Sequence, residues 1–203
     1  ANPLEFKTIA KIILEDKPEL LVGTPLFLEG YIKQSNPGDF ASIKLTVSGA
    51  DRCPEHLRAL YKEKHDIEII EGYGTTETSP VISVNPRGAN KPGSIGKPIP
   101  GAQIRIQNLD TGTDSLIGET GKILVKGDGV MQGYLNNMEE SSLRLKSGWY
   151  DTGDLGYLDE DGYLWHKGRL KRFVKIGGEM VSLVMVEETM DDLTPLEVEC
   201  CAV

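Results

Sequence analysis

The sequence predicts an α/β layer with parallel strands followed by a β-rich region. Apolar residues alternate between helical and strand spacing from 6 to 70, five prolines (80, 86, 92, 98 and 100) then break any helix, and short alternating segments bounded by turn residues continue to 165. Phe6, Ile9, Ala10, Ile13 and Leu14 recur at helical spacing, Pro18 stops the pattern, and Leu20-Leu21-Val22-Gly23 reads as a short buried strand. The alternation repeats as a helix at 26–32, a strand at 43–47, a helix at 54–61 with Pro54 near its first turn, and a strand at 67–70. Short apolar strands separated by helices imply parallel pairing. Beyond Thr78, Gly93, Gly96 and Gly101 supply turns, and residues 103–107 and 122–126 alternate as strands. Residues 149–165 read as two strands joined at Asp159-Glu160-Asp161-Gly162, an acidic turn that lacks the ligand spacing of an EF-hand and so predicts a hairpin. From Gly168 the chain turns basic, passes Gly177-Gly178 and predicts a helix start at 184–190.

Composition narrows the function classes. With 203 residues and 39% hydrophobic content the chain can bury a sizeable core. A net charge of -9 gives a phosphate backbone nothing to release counterions against, which excludes nucleic acid as a partner. The basic residues that cluster late (Lys167, Arg169, Lys171, Arg172, Lys175) suit a local anion or an acidic partner, although such a run is also ordinary solvated surface. Three cysteines, Cys53, Cys200 and Cys201, form no paired framework and predict a reducing, cytoplasmic compartment. Cys53 and His56 have a metal-like spacing, but no second pair accompanies them. No run approaches the about 18 apolar residues of a membrane span. The start without Met and the stop at Cys200-Cys201-Ala202-Val203 predict a piece of a longer polypeptide.

Chemistry concentrates in Glu71-Gly72-Tyr73-Gly74-Thr75-Thr76-Glu77-Thr78, expected in the loop just after a buried strand, where open α/β sheets bind ligands. Gly72 and Gly74 let backbone approach a flat ligand and Tyr73 offers a stacking face. Thr75 and Thr76 offer hydroxyls to phosphate, and Glu77 offers a hard carboxylate to a divalent cation. In isolation the same residues serve equally as a glycine-containing turn with hydroxyl capping.

The company of that string decides. Together with Val47-Ser48-Gly49-Ala50, Gly118-Glu119-Thr120-Gly121-Lys122-Ile123, Gly133-Tyr134-Leu135, Trp149-Tyr150-Asp151-Thr152-Gly153-Asp154 and Gly168-Arg169-Leu170-Lys171, in this order and spacing, it resembles the adenylate-forming superfamily of acyl-CoA synthetases, nonribosomal-peptide adenylation domains and luciferases. The tail from Arg172 to Leu183 is similar to the branch that activates fatty acids for acyl carrier protein, including the bifunctional enzyme fused to a lysophospholipid acyltransferase.

The resemblance implies three regions: 1–90 as the end of the α/β subdomain of the large domain, 91–167 as a distorted β-barrel-like subdomain, and 168–203 as a hinge and the start of a truncated small domain. It implies that Gly49 and Ala50 form one wall of an adenine slot and Tyr73 the other, with Glu71 and Gly72 at the adenine edge and Gly74 and Thr75 in the same loop. Thr76 would meet the α-phosphate of ATP or AMP, Glu77 would hold Mg2+, Asp154 would accept from the ribose hydroxyls, and Arg169 would reach ribose or phosphate. Lys171 would be the hinge, and Lys175 would face the ligand in the thioester-forming arrangement. The implied activity is conversion of a fatty acid and ATP to acyl-AMP and transfer of the acyl group to the phosphopantetheine thiol of acyl carrier protein or CoA, linked to lysophospholipid reacylation. The alternatives are an amino- or aryl-acid adenylating domain and a non-catalytic nucleotide-binding module. Membrane association, at the inner face, would come only through missing parts of the parent. Two departures bear on activity: no hydroxyl-rich phosphate loop precedes Gly49, and the family's C-terminal lysine is not reached. The isolated chain is therefore expected to be a poor catalyst.

Overall fold

In the computed structural model, which describes residues 2–176, 179–183, 186, 189 and 190, the first apolar helix is α1 (Phe6–Asp16). It stops where Lys17 turns left-handed (φ 50°) and donates its N–H to the Ile13 carbonyl. Next come β1 (Leu20–Gly23) and α2 (Pro25–Lys33). The Thr24 hydroxyl caps α2 by accepting the Phe27 N–H, and Pro25 suits the first turn, where its missing N–H has no partner to lose. β2 (Leu45–Ser48), α3 (Glu55–His65) and β3 (Ile69–Tyr73) complete the alternation.

β1, β2 and β3 pair in parallel, with Val22 beside Val47 and Val47 beside Ile70, as the sequence predicts. Two of the boundary differences bear on the site. β2 begins at Leu45 rather than 43, because Ile43 closes a turn onto the Phe40 carbonyl (2.9 Å) and buries its side chain in the core. β3 runs on to Tyr73, because Gly72 and Tyr73 pair antiparallel with β4 (Ser83–Val84), which pairs in turn with β5 (Lys97–Pro98). Residues 71–73, expected in the loop, therefore belong to the strand.

One apolar cluster holds this unit, which ends at Ala102. Leu28 and Ile32 of α2, Phe40, and Leu57 and Tyr61 of α3 are fully buried against Ile13, Leu21 and Ile69. Burying each such aliphatic or Phe side chain contributes about 1.5–3 kcal/mol relative to leaving it exposed. The Tyr61 hydroxyl donates to the Leu28 carbonyl at 2.8 Å, so its burial leaves no orphan donor.

The second unit starts at Gln103. Its sheet runs β10 (Leu164–Arg169), β9 (Trp149–Leu158), β7 (Gly121–Gly127), β6 (Ala102–Gln107), and β8 (Leu145–Lys146) also pairs with β9. Irregularities between Lys122 and Leu124 and between His166 and Gly168 bend the strands, so the barrel-like subdomain expected is an open, curled sheet. A short helix, α4 (Met138–Arg144), was not legible in the sequence. None of its residues is buried, so it carries no apolar periodicity, and the Asn137 cap on the Glu140 N–H is its main signal.

The acidic turn is the predicted hairpin. Asp159 accepts from the Asp161 and Tyr163 N–H groups and from the Trp165 indole N–H at 2.9–3.0 Å, and Trp165 stacks on Tyr157 with ring centroids 6.0 Å apart. Beyond a 3-10 turn (Leu170–Arg172), β11 (Phe173–Ile176) pairs antiparallel with β12 (Glu179–Ser182). Cys200, Cys201 and most of the helix start expected at 184–190 lie outside the described residues. Among those described, no helix is long and apolar enough to cross a membrane.

Candidate functional site

β2 ends at Ser48, opposite Glu71, and the parallel β3 runs two residues further to Tyr73, so both chains leave the sheet at its carboxyl edge. Gly49 continues from β2 and donates its N–H to the Gly23 carbonyl at the end of β1 (3.1 Å). A Cβ there would meet only the Gly72 carbonyl at 3.7 Å, which leaves this stretch of backbone bare at the edge. Ala50 follows with φ 72°, a left-handed conformation that costs a residue with a Cβ about 1–2 kcal/mol.

On the neighbouring strand, Tyr73 ends β3 half-buried, and its carbonyl accepts the Ile82 N–H at 2.8 Å. Gly74 must be glycine for packing: a Cβ would lie 1.6 Å from the Pro80 carbonyl oxygen. Residues 76–78 form a 3-10 turn. Thr78, buried, closes it by accepting the Thr75 N–H (3.0 Å) and donating to the Thr75 carbonyl (2.9 Å), and its hydroxyl lies 3.4 Å from that of Thr75. The Thr75 hydroxyl is thereby drawn into the turn, while Thr76 stays exposed and Glu77 half-buried. The turn thus offers one open hydroxyl beside one carboxylate. Thr78 was missed as a site residue, although a hydroxyl residue three positions after Thr75 is a capping spacing.

Glu71 sits at this edge with its carboxylate turned inward. It is buried and accepts from the Cys53 N–H (3.1 Å), Arg58 Nη1 (2.8 Å) and the Gly93 N–H (3.0 Å). Beneath it, Asn85 donates to the Glu71 and Ser94 carbonyls and accepts from the Lys91 N–H and the Ser94 hydroxyl. None of these partners was read from the sequence, because nothing in spacing marks a buried polar network. Burial pushes the Cys53 thiol above its ordinary pKa, and His56 Nε2 lies 3.8 Å from Glu29 Oε1. Among the described residues no group of three or more His, Cys, Asp and Glu could hold a metal ion.

In the second unit Asp154 lies on β9 and is 1% exposed. Its N–H donates to the Thr152 hydroxyl (3.1 Å), which donates to the Ile123 carbonyl (2.9 Å), so β7 fixes the strand on which the carboxylate is mounted. Arg169 occupies the facing position on β10, with Nε 3.0 Å from Asp154 Oδ1, and His166 Nε2 lies 3.8 Å from the same oxygen. The Arg169 side chain is itself two-thirds exposed (66%). Lys171 is exposed in the 3-10 turn that follows. Lys175 stands on β11 opposite Met180, and its side chain lies outside the described residues.

Residues 1–135 match the family of AMP-binding enzymes. The chain is 38% identical to the long-chain-fatty-acid–CoA ligase of Bacillus subtilis over 192 residues, 93% of this chain and 34% of that protein. It therefore spans about a third of the length of such curated relatives. An anthranilate CoA ligase solved with anthranoyl-AMP superposes with a TM-score of 0.82 at 30% identity, covering 94% of this chain and 37% of that one. The O-succinylbenzoate CoA synthetase of Bacillus subtilis solved with ATP and magnesium does so with a TM-score of 0.82 at 28% identity, over 92% and 39%.

Proposed function

The chain belongs to the AMP-binding enzyme family, and on that premise we propose that it is the nucleotide-holding part of an AMP-forming acid–thiol ligase. The observation that carries the reading is the shared edge of β2 and β3, where the bare Gly49–Ala50 backbone, Tyr73 and the Thr76–Glu77 turn leave the sheet together. A flat base lies between the Tyr73 ring and the Gly49–Ala50 peptide, Gly72 at its edge and Gly74 and Thr75 shaping the loop. The open hydroxyl of Thr76 donates to the α-phosphate. Asp154, an acceptor held rigidly by its own strand, suits the two hydroxyls of the ribose, and Arg169 orients it and offers a cation to ribose or phosphate. Lys171 serves as the hinge and Lys175 as the ligand-facing lysine of the thioester-forming step.

Glu77 fits a magnesium ion, which keeps most of its waters and takes one or two carboxylates alongside substrate phosphates, so that no cluster of acids is required. When bound, the ion would offset charge that develops on phosphate as the carboxylate attacks. The O-succinylbenzoate enzyme solved with ATP and magnesium supports this role.

The chemistry follows from the leaving group. A carboxylate is a poor electrophile, and its mixed anhydride with AMP is a good one, so the substrate carboxylate displaces pyrophosphate from ATP and a phosphopantetheine thiol then displaces AMP. A fatty acid is the proposed substrate, supported by the 38% identity to a long-chain-fatty-acid–CoA ligase. The tail from Arg172 to Leu183 supports acyl carrier protein as thiol donor and a link to lysophospholipid reacylation, whereas the named relatives support CoA. An aryl acid is the second reading, favoured by the anthranilate ligase.

Pyrophosphate exchange by the full-length protein, with straight-chain and aryl acids compared, tests the proposal. Fatty-acid-dependent exchange is expected. Exchange with aryl acids alone would shift the substrate class, and no exchange together with no AMP binding would overturn the function.

A further inference from the structure

The Glu71 carboxylate already accepts from protein donors that come from three different segments. Cys53 lies in the turn leaving β2, Arg58 on α3 and Gly93 in the loop after β4. Arg58 is itself largely buried, with its side chain 13% exposed, and its Nε is held by Glu55 at 3.0 Å. A buried ion pair of this kind is weak support for stability, because desolvating both charges offsets most of their attraction.

Geometry gives the pair a better reason to exist. The β2–β3 register stops at Ser48 opposite Glu71, immediately before Gly49 and Ala50 diverge from the sheet. Three residues beyond Ala50, the Cys53 N–H ties this segment back to β3 through the Glu71 carboxylate. The other oxygen holds Gly93, next to Ser94, whose carbonyl and hydroxyl bond Asn85 at the end of β4. β4 in turn pairs with Gly72 and Tyr73. One carboxylate thus braces both walls of the proposed adenine slot. We infer that Arg58 and Glu71 are a positioning pair that sets the spacing between the Gly49–Ala50 peptide and Tyr73, and that neither side chain touches the nucleotide. This deepens the proposed function and rests on it, and it moves Glu71 from the adenine edge to the frame that supports it.

Calorimetric titration of AMP into the full-length protein, beside thermal melts, tests the pair with Arg58→Met, Glu71→Gln and the double replacement. Each single change should weaken AMP binding by about ten- to a hundredfold, the scale of a slot displaced by roughly an ångström, and should lower Tm because a lone buried charge remains. The double replacement removes both charges and should recover Tm, yet bind AMP as weakly as Glu71→Gln, since the amide oxygen can serve only one of the two N–H groups well. Recovery of affinity along with Tm would overturn the inference, as would wild-type affinity in Arg58→Met, which would leave Glu71 as a direct ligand. Should the double replacement fail to fold, Arg58→Lys decides, because it keeps the charge without the planar fork: weakened binding supports the role and wild-type affinity overturns it. Failure of the unsubstituted protein to bind AMP would remove the functional reading and this role with it.

Discussion

Arg169 stands directly across the β9–β10 ladder from Asp154, its Nε 3.0 Å from Oδ1, so that a two-thirds exposed cation rests on an almost fully buried carboxylate. Such a pair contributes little to folding, at most about 1 kcal/mol, because the guanidinium keeps much of its water. On the proposed reading, its value lies in aiming the acid. Asp154→Asn should therefore weaken AMP binding by about 1.5–3 kcal/mol, the worth of hydrogen bonds to a charged acceptor. Arg169→Ala should lower affinity while moving Tm by no more than a degree or two. Calorimetry and thermal melts on the full-length protein read both, and unchanged affinity in Asp154→Asn would remove that residue from the ribose.

Thr78 is the latch of the 76–78 turn. Thr78→Val keeps the shape but strands the Thr75 N–H and carbonyl, at a cost of about 1–3 kcal/mol. Urea titration should show that loss, and AMP binding should weaken with it as Thr76 loses its fixed position. Wild-type binding in a destabilised Thr78→Val protein would mean that the turn does not serve the nucleotide.

Two backbone positions at the sheet edge should respond differently to small changes. Gly74→Ala drives a methyl into the Pro80 carbonyl and should cost about 1–3 kcal/mol as the loop shifts. Ala50→Gly removes a left-handed strain of about 1–2 kcal/mol and frees the unfolded chain by somewhat less, leaving stability within about 1 kcal/mol of the parent. Ala50→Val, β-branched at a positive φ, should be markedly worse. Chemical denaturation of the three variants checks the order.

His65 makes stability depend on pH. Burial, aided by the neighbouring Lys64 charge and opposed by Asp39, holds its pKa below the ordinary 6.5. The ring stacks on Phe40 at 4.7 Å, and Ser35, whose hydroxyl donates to the Ile32 carbonyl, accepts from Nε2. The unfolded chain therefore takes up this proton first. Stability is fully present above about pH 6.5 and is lost as pH falls from there toward and past the lower folded value. Denaturation midpoints between pH 8 and pH 5 for the parent and for His65→Phe should diverge only in the acidic half.

What the sequence conveyed follows from which forces are local. The order of α1, β1, α2, β2, α3 and β3 was legible because each buries one stripe or run of apolar residues, and the hairpin at Asp159 because turn chemistry is contained within a few residues. The family, too, could be read from strings whose spacing survives in one dimension. The extension of β3 through Tyr73 was not legible, since it is imposed by β4, ten residues further on. The inward turn of Glu71 was equally hidden: its partners Cys53, Arg58 and Gly93 are scattered along the chain, and only folding brings three donors to one carboxylate. α4 escaped because it buries nothing.

The stacked Trp165 at the β9–β10 hairpin has a spectroscopic consequence. The chain has two tryptophans, Trp149 and Trp165, both beyond Gln103 in the second unit, while the first contains none. Ultraviolet emission excited at the indole band therefore watches the curled sheet alone. With its indole N–H bound to a carboxylate and its ring against Tyr157, Trp165 should signal the opening of that hairpin by a change in wavelength and intensity, while the parallel-strand unit melts unseen in the same cuvette and must be followed by circular dichroism.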